Sequence, residues 1–400
     1  DDAAGYPSSP GQLELGRMLV AELRGMGIAD AAQDEHGIVL ATIPSTLDRP
    51  APTIAFCSHL DTSPETPGAN VRPQVVENYA GGDLALPADP RRVIRVADCP
   101  ELAGLVGRTL ITGDGTTLLG ADDKAGVAVI MEAADRLAAD GQRAHGAVRI
   151  CFTCDEEIGR GVDHIDIQRL GAAACYTLDG QGAGIIDVET FSADLAIVTI
   201  RGRNIHPSIA KGKMVNAVRA AGDFLARLPR DRLAPEVTEG REGFLHPYEL
   251  AGGVAETRLK ILLRDFSTPA LAGHAEVLRR AAAETARAVP GVEFDIQVKV
   301  QYRNLGEGLA KEPRAVRCAE QALEKLGFQA ELAIIRGGTD GSRLTEMGLP
   351  TPNLSTGQHT PHSPLEWACL EEMEQSVEWI MAIAETWAET LDPAGGHPAP

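Results

Sequence analysis

Side chains that bind metal ions well occur at five separated places in this 400-residue sequence. These are His59 with Asp61, Asp122, Glu156 with Glu157, Asp179, and His362. Most of them follow directly after short apolar runs, such as PTIAFCSHLD and GAVRICFTCDEE, that are typical of buried strands. In an open parallel sheet the carboxyl ends of the strands form the edge at which ligands bind. We therefore expect these side chains to converge at one edge of a sheet.

The mixture of imidazoles and carboxylates suits zinc. Zinc takes imidazole nitrogen and carboxylate oxygen while keeping a position open for water, and two zinc ions a few ångströms apart can clamp both oxygens of a hydrolytic transition state. Two such ions need one shared carboxylate and about two further ligands each. Two histidines and three carboxylates meet that need, and the two remaining acids fit the roles of supporting a ligand and of a general base.

Each motif has a simpler explanation when it is taken alone. HLD is usually a solvated loop, DEE after a strand is more often an exposed turn, and the last histidine of HTPHSP is acceptable as an ordinary loop residue. Asp122 and Asp123 precede a run typical of a helix, where acids also cap the helix and favour its dipole, and Asp123 fits that role alone. The joint occurrence in this order is much harder to explain by chance.

The elements around these residues alternate between strand and helix. The segment GQLELGRMLVAELRGMG predicts an amphipathic helix, and KAGVAVIMEAADRLAADG predicts another that begins just after Asp123. Strands are predicted between and after them, which indicates an α/β domain with a mostly parallel sheet flanked by helices. From Phe191 to Tyr302 the order becomes strand, helix, two strands, helix, strand, which is typical of an α+β sandwich. We therefore expect residues 1–190 and 304–400 to form a first domain, interrupted by a second domain at 191–303.

Composition narrows the class of protein. The formal net charge of -20 disfavours nucleic acid and membrane surfaces as partners. The chain has seven scattered cysteines and no run of about 18 apolar residues, which together favour a reducing, cytoplasmic location. Cys151 and Cys154 have the spacing of a redox pair, but they lie within the apolar run AVRICFTC, so we expect a buried strand instead.

Nine runs together resemble the peptidase T branch of the di-zinc metallopeptidases, a family that includes aminoacylases and carboxypeptidase G. The runs are SHLDTSP, NVRPQVVENYAGGD, LITGDGTTLLGADDKAG, FTCDEEIGRG, YTLDG, HPSIAKGKMVNA, EGFLH, IRGGTDGS and HSPLEW. The resemblance implies a catalytic α/β domain holding two Zn²⁺ ions and an inserted lid domain, which could also mediate dimerisation. It further implies release of the N-terminal residue from short peptides, most of all tripeptides, by a monomer or a homodimer.

The resemblance also implies a role for each site residue. Asp122 would bridge the two ions, with His59 and Asp179 completing one site and Glu157 and His362 the other. Asp61 would orient the His59 imidazole, and Glu156 would be the general base that moves a proton from water to the leaving amine.

Further residues are assigned to the lid. His206 in NIHPSIAKG would help to stabilise the oxyanion, although a surface histidine capping a turn is the alternative. Asn216, Arg264 and Arg336 are candidates for gripping polar ends of the substrate, because arginine offers a bidentate fork to a carboxylate.

Other functions remain open at this stage. The same zinc site could serve a dipeptidase, an N-acyl amino acid amidohydrolase or a carboxypeptidase, since fold and metal do not settle specificity. A non-catalytic zinc-binding protein is a further alternative, but it would not need Glu156. The sequence HTPHSPLEW departs from the usual pattern of the family and brings in His359 as a competitor of His362. The chain also begins after the point where the family usually has an additional N-terminal helix.

Overall fold

The apolar runs of the sequence form the strands of three sheets, and the amphipathic runs form helices, in a computed structural model that describes residues 5–390. The helices are α1 (Pro10–Gly25), α2 (Ala121–Ala139), α3 (Ile167–Leu170), α4 (Ala217–Ala226), α5 (Ala270–Ala288), α6 (Gly306–Leu309), α7 (Arg314–Lys325), α8 (Asp340–Glu346) and α9 (Leu370–Glu389). The strands are β1 (Ala32–Gln33), β2 (Val39–Ile43), β3 (Ile54–His59), β4 (Gln74–Val76), β5 (Leu84–Ala85), β6 (Val93–Ile94), β7 (Leu110–Thr112), β8 (Val148–Thr153), β9 (Ala174–Gln181), β10 (Ile185–Thr190), β11 (Ser192–Arg201), β12 (Phe244–Gly252), β13 (Glu256–Asp265), β14 (Glu293–Tyr302), β15 (Glu331–Ile335), β16 (Asn353–His359) and β17 (Trp367–Cys369). Within residues 5–390, no helix combines the length and the apolarity needed to cross a membrane.

The chain divides into two compact units. Within the described residues, unit 1 comprises 5–188, 305–333 and 339–390, and unit 2 comprises Glu189–Asn304 and Ile334–Gly338. Residues 334–338 were expected in the first domain, but they belong to unit 2. The sequence pattern could not reveal this, because five residues are too few to carry a periodicity of their own.

The sheet of unit 1 has the order β1-β2-β8-β3-β9-β16-β17-β7-β4, with β10 also paired to β16. Strands β8, β3, β9 and β16 run parallel, whereas the strands outside them pair antiparallel. The expectation of a mostly parallel sheet therefore holds for the centre only, and the sheet as a whole is mixed. The six residues of β3 are all buried, as expected for a strand covered on both faces.

Helices cover both faces of this sheet. Leu23 of α1, Ile130 of α2 and Trp379 of α9 belong to one large apolar core. A smaller core contains Cys57 of β3 and Leu344 of α8. The seven cysteines are free and buried, so the prediction that the pair at 151 and 154 is structural is confirmed.

Unit 2 is an antiparallel sheet of order β12-β13-β11-β14 with two helices packed against it. Its elements follow the order β11, α4, β12, β13, α5, β14, which is the order predicted from the sequence. The buried face of the sheet includes Val198 and Ile261, which pack in one core with Phe224 of α4 and Leu278 of α5. Because side chains alternate between the two faces of a strand, the apolar residues lie on one face of the sheet, and both helices pack against that face.

Candidate metal centre

The parallel centre of the unit 1 sheet brings the predicted ligands to one edge. His59 is the last residue of β3, and Asp179 lies near the end of the neighbouring strand β9. On the other side of β3, strand β8 ends at Thr153, and a short 3-10 helix at Glu156–Ile158 follows it. Since parallel strands end at the same edge, residues far apart in sequence become neighbours there.

Asp122 lies between two imidazoles. Its Oδ1 is 2.9 Å from His59 Nε2, and its Oδ2 is 3.2 Å from His362 Nε2. The His362 Nε2 is also 2.9 Å from Glu157 Oε2. Each oxygen of one carboxylate therefore faces a different histidine, which is the arrangement that a carboxylate shared by two cations requires.

Two groups of ligand atoms converge around His59. The first contains His59, Asp122 and Glu157, and the second contains His59, Asp123 and Asp179, with the ligand atoms of each group within 4.8 Å of one another. The Asp179 Oδ1 lies 3.8 Å from His59 Nε2. Asp179 also accepts hydrogen bonds on its carboxylate and its carbonyl from the Gln358 amide.

Asp123, predicted to cap a helix, is a further candidate metal ligand. Instead of capping the helix, its Oδ2 accepts hydrogen bonds from the Ser58 hydroxyl and from the His59 backbone N–H at 3.1 Å. Its Oδ1 is buried and has no hydrogen-bond partner among residues 5–390. The Asp-Asp pair in GADDKAG was the available signal, but the orientation of the second side chain could not be read from it.

Asp61 contacts both His59 and the loop that carries Glu156 and Glu157, which we call the acidic loop. Its Oδ1 is 3.2 Å from His59 Nδ1, an ion-pair distance without hydrogen-bond alignment, and Nε2 of the same ring faces Asp122. Its two oxygens also accept hydrogen bonds from the backbone N–H groups of Glu156 and Glu157 at 3.1 and 3.0 Å. Burial opposes the negative charge, yet His59 and these hydrogen bonds hold the pKa of Asp61 below its ordinary value.

The electrostatics of the cluster favour cations. Burial and the Asp122 carboxylate raise the pKa of Asp179 to about 7. Hydrogen bonds to Asp122 and Glu157 raise the pKa of His362 to about 11. Despite burial, the two imidazoles hold the pKa of Asp122 well below its ordinary value. The groups beside Asp122 thus bind protons tightly, because these protons offset the negative charge of the cluster. A divalent cation would offset that charge more fully.

The donor set fits a pair of divalent metal ions. It combines imidazole nitrogen with carboxylate oxygen, a mixture that suits zinc better than calcium. One oxygen of Glu157 and one of Asp123 are buried without hydrogen-bond partners among the described residues, so ligand atoms remain to be satisfied.

Glu156 and Glu157 share one turn but differ in surroundings. Glu157 contacts His362, as described above. Burial, reinforced by the carboxylates of Asp340 and Asp179, raises the pKa of Glu156 well above its ordinary range. A carboxylate whose proton affinity is raised in this way suits a general base.

Glu366 is a supporting residue that is absent from the predicted site. Its Oε2 accepts hydrogen bonds from the N–H groups of Leu119 and Gly120 at 2.8 and 2.7 Å, and its Oε1 accepts one from Asp122 N–H at 2.9 Å. Glu366 is only 1% exposed. It therefore fixes the loop that presents Asp122, and the signal available was its place four residues after His362.

His359 is separate from the cluster. Its ring stacks on Trp367 with a centroid distance of 3.8 Å, and its Nε2 lies 2.7 Å from Glu372 Oε2. Because His362, and not His359, contacts Asp122 and Glu157, the geometry favours His362 as the ligand.

The other four predicted residues belong to unit 2. His206 Nδ1 accepts a hydrogen bond from Ser208 N–H at 3.3 Å and so caps a short turn. Asn216 caps α4 through its side-chain oxygen. The Arg264 guanidinium lies 5.9 Å from the Tyr302 ring centroid and makes a long contact of 3.4 Å with the carbonyl of Arg336.

Arg336 has a structural task that the sequence did not indicate. Its two terminal nitrogens donate to the carbonyls of Thr238, Gly240 and Glu242 and to the Thr238 hydroxyl. Its guanidinium also lies 5.2 Å from the Phe191 ring centroid. Because both terminal nitrogens of Arg336 already donate hydrogen bonds within unit 2, they are poorly available to a substrate carboxylate.

Comparisons with known proteins identify the family of this chain. The model of the peptidase family M20/M25/M40 matches residues 117–386. The chain is 44% identical to Peptidase T of Bacillus subtilis over 379 residues, which cover 95% of this chain and 92% of that protein. A similar relative from Geobacillus thermodenitrificans, also Peptidase T, is 43% identical over 96% of this chain and 93% of its own length.

Solved structures share the fold. Aminopeptidase PepT from Bacillus cereus superposes with a TM-score of 0.74 at 26% identity, covering 94% of this chain and 93% of its own. A tripeptidase from Staphylococcus aureus gives a TM-score of 0.76 at 23% identity, over 94% of this chain and 93% of its own, and supports the fold alone. With the family model matching well over half of its residues, this chain belongs to the peptidase family M20/M25/M40.

Proposed function

We propose that this protein is a two-zinc exopeptidase that releases the N-terminal residue from short peptides, with tripeptides as its preferred substrates. The observation that carries the proposal is the position of Asp122, whose two oxygens face His59 and His362 separately. The substrate class is supported by the 44% identity to Peptidase T and by the likeness to an aminopeptidase of known structure.

Five residues would hold the ions. Asp122 would bridge them, His59 and Asp179 would complete one site, and Glu157 and His362 the other. When bound, two zinc ions supply Lewis-acid polarisation of the scissile carbonyl and stabilise the negative charge that develops on its oxygen.

Glu156 would be the general base. Its raised pKa lets it accept a proton from the attacking water and release that proton to the leaving amine. Asp61 would keep this base in place, because it anchors the Glu156 and Glu157 amides while holding the His59 ring.

His206 would donate a hydrogen bond to the developing oxyanion. Its Nδ1 lies 3.3 Å from the Ser208 backbone nitrogen and 2.7 Å from the Ser208 hydroxyl oxygen. Nε2 is therefore the ring nitrogen left to donate to an oxyanion. The turn-capping contact and the proposed catalytic contact therefore use different nitrogens and are compatible.

Substrate ends would be gripped by Arg264 and Asn216. The Arg264 Nε is buried without a hydrogen-bond partner among residues 5–390, which suits a site for a terminal carboxylate. The side-chain oxygen of Asn216 accepts hydrogen bonds at the start of α4, and its NH₂ group would donate to the substrate. Arg336 would act indirectly, through the 238–242 segment that it binds.

We also place the enzyme in the cytoplasm, as a monomer or homodimer. The support is chemical: its seven cysteines are free, as a reducing compartment would keep them.

The test is a hydrolysis panel of di-, tri- and tetrapeptides with free and blocked N-termini, on metal-loaded and chelated protein. The proposal expects loss of activity on chelation, recovery with zinc, and hydrolysis of tripeptides only when the N-terminus is free. Preference for N-acylated substrates or for dipeptides would instead support an amidohydrolase or a dipeptidase on the same site. Activity unaffected by chelation would contradict the metal mechanism.

A further inference from the structure

The loop that carries Glu156 and Glu157 begins at a conformationally unusual residue. Asp155 has a φ of 65°, in the left-handed region that residues with a Cβ adopt infrequently. Its side chain is fully buried at the end of the sheet. Other groups must therefore hold Asp155 in place and satisfy its carboxylate.

Those groups come from the N-terminal segment, more than a hundred residues earlier in the sequence. Ser8 donates its N–H to both oxygens of Asp155, at 3.0 and 2.8 Å, and its hydroxyl to Oδ1 at 2.5 Å. The Gln12 amide binds Asp155 twice: Nε2 donates to Oδ1 at 2.7 Å, and Oε1 accepts from the Asp155 N–H at 3.0 Å. Gln12 lies in α1 and is 3% exposed. Nearby, the Tyr6 hydroxyl donates to the carbonyl of Cys154 at 3.0 Å.

The acidic loop is thus held from two directions. Asp61 binds the N–H groups of Glu156 and Glu157, whereas Ser8 and Gln12 fix the residue just before them. Asp61 belongs to the metal centre, but the Gln12 side chain contacts none of the proposed ligands in any of its hydrogen bonds. A small displacement of Asp155 would move a proposed base and a proposed ligand together.

We infer that Gln12, with Ser8, is a positioning residue for the Glu156 loop, so that the N-terminal segment controls both the chemical step and the affinity of the metal centre. The inference rests on the proposed function for its kinetic part. It does not make Gln12 a catalytic residue, because Gln12 acts through Asp155.

The first test replaces Gln12 by the similarly shaped methionine, which removes both hydrogen bonds. Gln12→Met should lower kcat at saturating metal by about 10- to 100-fold, the usual consequence of losing support behind a metal site or of a small misplacement of a catalytic group. KM should change little. Chelator competition, which needs no substrate, should show divalent metal bound about 10-fold more weakly.

Gln33→Met is the matched control. Gln33 also uses its amide in unit 1, donating from Nε2 to the carbonyl of Gly37 at 3.1 Å, but it does not contact the acidic loop. It should lose stability without losing kcat or metal affinity. Equal kcat and metal affinity in the two variants would overturn the inference.

A donor–acceptor exchange provides a second test that does not depend on one variant folding well. Gln12→Glu places two buried carboxylates against each other and should reduce kcat further than Gln12→Met. Adding Asp155→Asn lets the new amide at position 155 donate to the new carboxylate at position 12, while the backbone N–H still donates to it. Recovery of at least about tenfold in kcat is expected, by the same scale. A double variant no better than Gln12→Glu would contradict the inference.

The proposed peptidase function and the positioning role of Gln12 are contradicted by different results. Wild-type protein without peptidase activity contradicts the proposed function, and metal affinity still tests the role of Gln12. An active wild type with wild-type behaviour in Gln12→Met contradicts only the positioning role.

Discussion

At the sheet edge of unit 1, charged side chains face one another, whereas Arg264 and Arg336 of unit 2 face backbone carbonyls and aromatic rings. Asp122 contacts His59 and His362, and buried oxygens of Asp123 and Glu157 have no hydrogen-bond partner among residues 5–390. Arg336, by contrast, donates to three carbonyls and a hydroxyl. Both regions contain charged residues within motifs of the same family resemblance. Residue type therefore suggests a chemical role, but the partners that a polar group already binds decide whether it is available for that role.

The largest expected effect concerns the base in the acidic cluster. Glu156→Gln keeps the shape of the side chain and removes its ability to accept a proton, so kcat should fall by roughly 10²- to 10⁴-fold. Bound metal should stay unchanged, because Glu156 is not a proposed ligand. Peptide kinetics with elemental analysis checks both parts. A rate within a few-fold of wild type would exclude Glu156 as the base.

The next effect concerns the support of the bridging carboxylate. Glu366→Gln replaces one acceptor oxygen by an NH₂ group that must face backbone N–H groups, so metal affinity should fall by about 10- to 100-fold. Glu371→Gln is the control, since Glu371 accepts hydrogen bonds from Thr109 N–H and contacts no proposed ligand. Chelator competition should separate the two variants. The same metal affinity in both would assign Glu366 a purely structural role.

Substitution of Arg336 and of Arg264 in unit 2 should affect different properties, folding stability in the first case and substrate affinity in the second. Arg336→Ala leaves the carbonyls of the 238–242 segment without their donor and should lower the free energy of unfolding by about 1 to 3 kcal/mol. Arg264→Ala should instead raise KM by about 10- to 100-fold for peptides with a free C-terminal carboxylate, on the scale of one charged hydrogen bond. Amidated peptides should be insensitive to it. Equal losses on free and amidated peptides would refute the carboxylate role of Arg264.

The last effect is on stability and concerns a buried carboxylate that faces no histidine. Asp187 accepts a hydrogen bond from Asn353 Nδ2 at 2.9 Å, and burial raises its pKa from 3.8 to about 6. The folded protein therefore holds this proton more tightly than the unfolded chain, a stabilising contribution present below pH ~4 and lost as the pH rises through ~6.

Asp187→Asn keeps an oxygen that accepts the Asn353 hydrogen bond, and because asparagine does not titrate, the variant does not lose stability as the pH rises through ~6. Its free energy of unfolding relative to wild type should rise from near zero in acid to at most about 3 kcal/mol at neutral pH. Urea unfolding across this range provides the measurement. A difference that is constant with pH would show that Asp187 titrates normally.

Much of the fold could be predicted from the sequence because its periodicities are strong. The helix after Asp123 and the strands ending at His59 and Thr153 are long enough to carry their own pattern. The antiparallel flanks of the sheet could not be predicted. Short strands such as β4 and β17 contain three residues each and take their direction from their neighbours.

The site divides in the same way. Convergence of His59, Asp122, Asp179 and His362 followed from strand ends and motif order, and the structure brings these residues together. The support from Glu366 runs from one side chain to backbone amides about 245 residues away, and hydrogen bonds to the backbone impose no residue type on the partner. The place of Glu366 in HSPLEW, four residues after His362, marks it as a candidate, but the sequence does not show which amides it binds.

The central claim is that one carboxylate joins two metal ions at the unit 1 edge. It is tested most directly by titrating zinc into metal-free protein and into the Asp122→Ala variant, with calorimetry and elemental analysis. We expect two ions per wild-type chain, by the stoichiometry of a shared carboxylate. We also expect Asp122→Ala to weaken both binding events together and to abolish peptidase activity. A single ion in wild type, or a variant that loses one ion and binds the other with unchanged affinity, would contradict this claim.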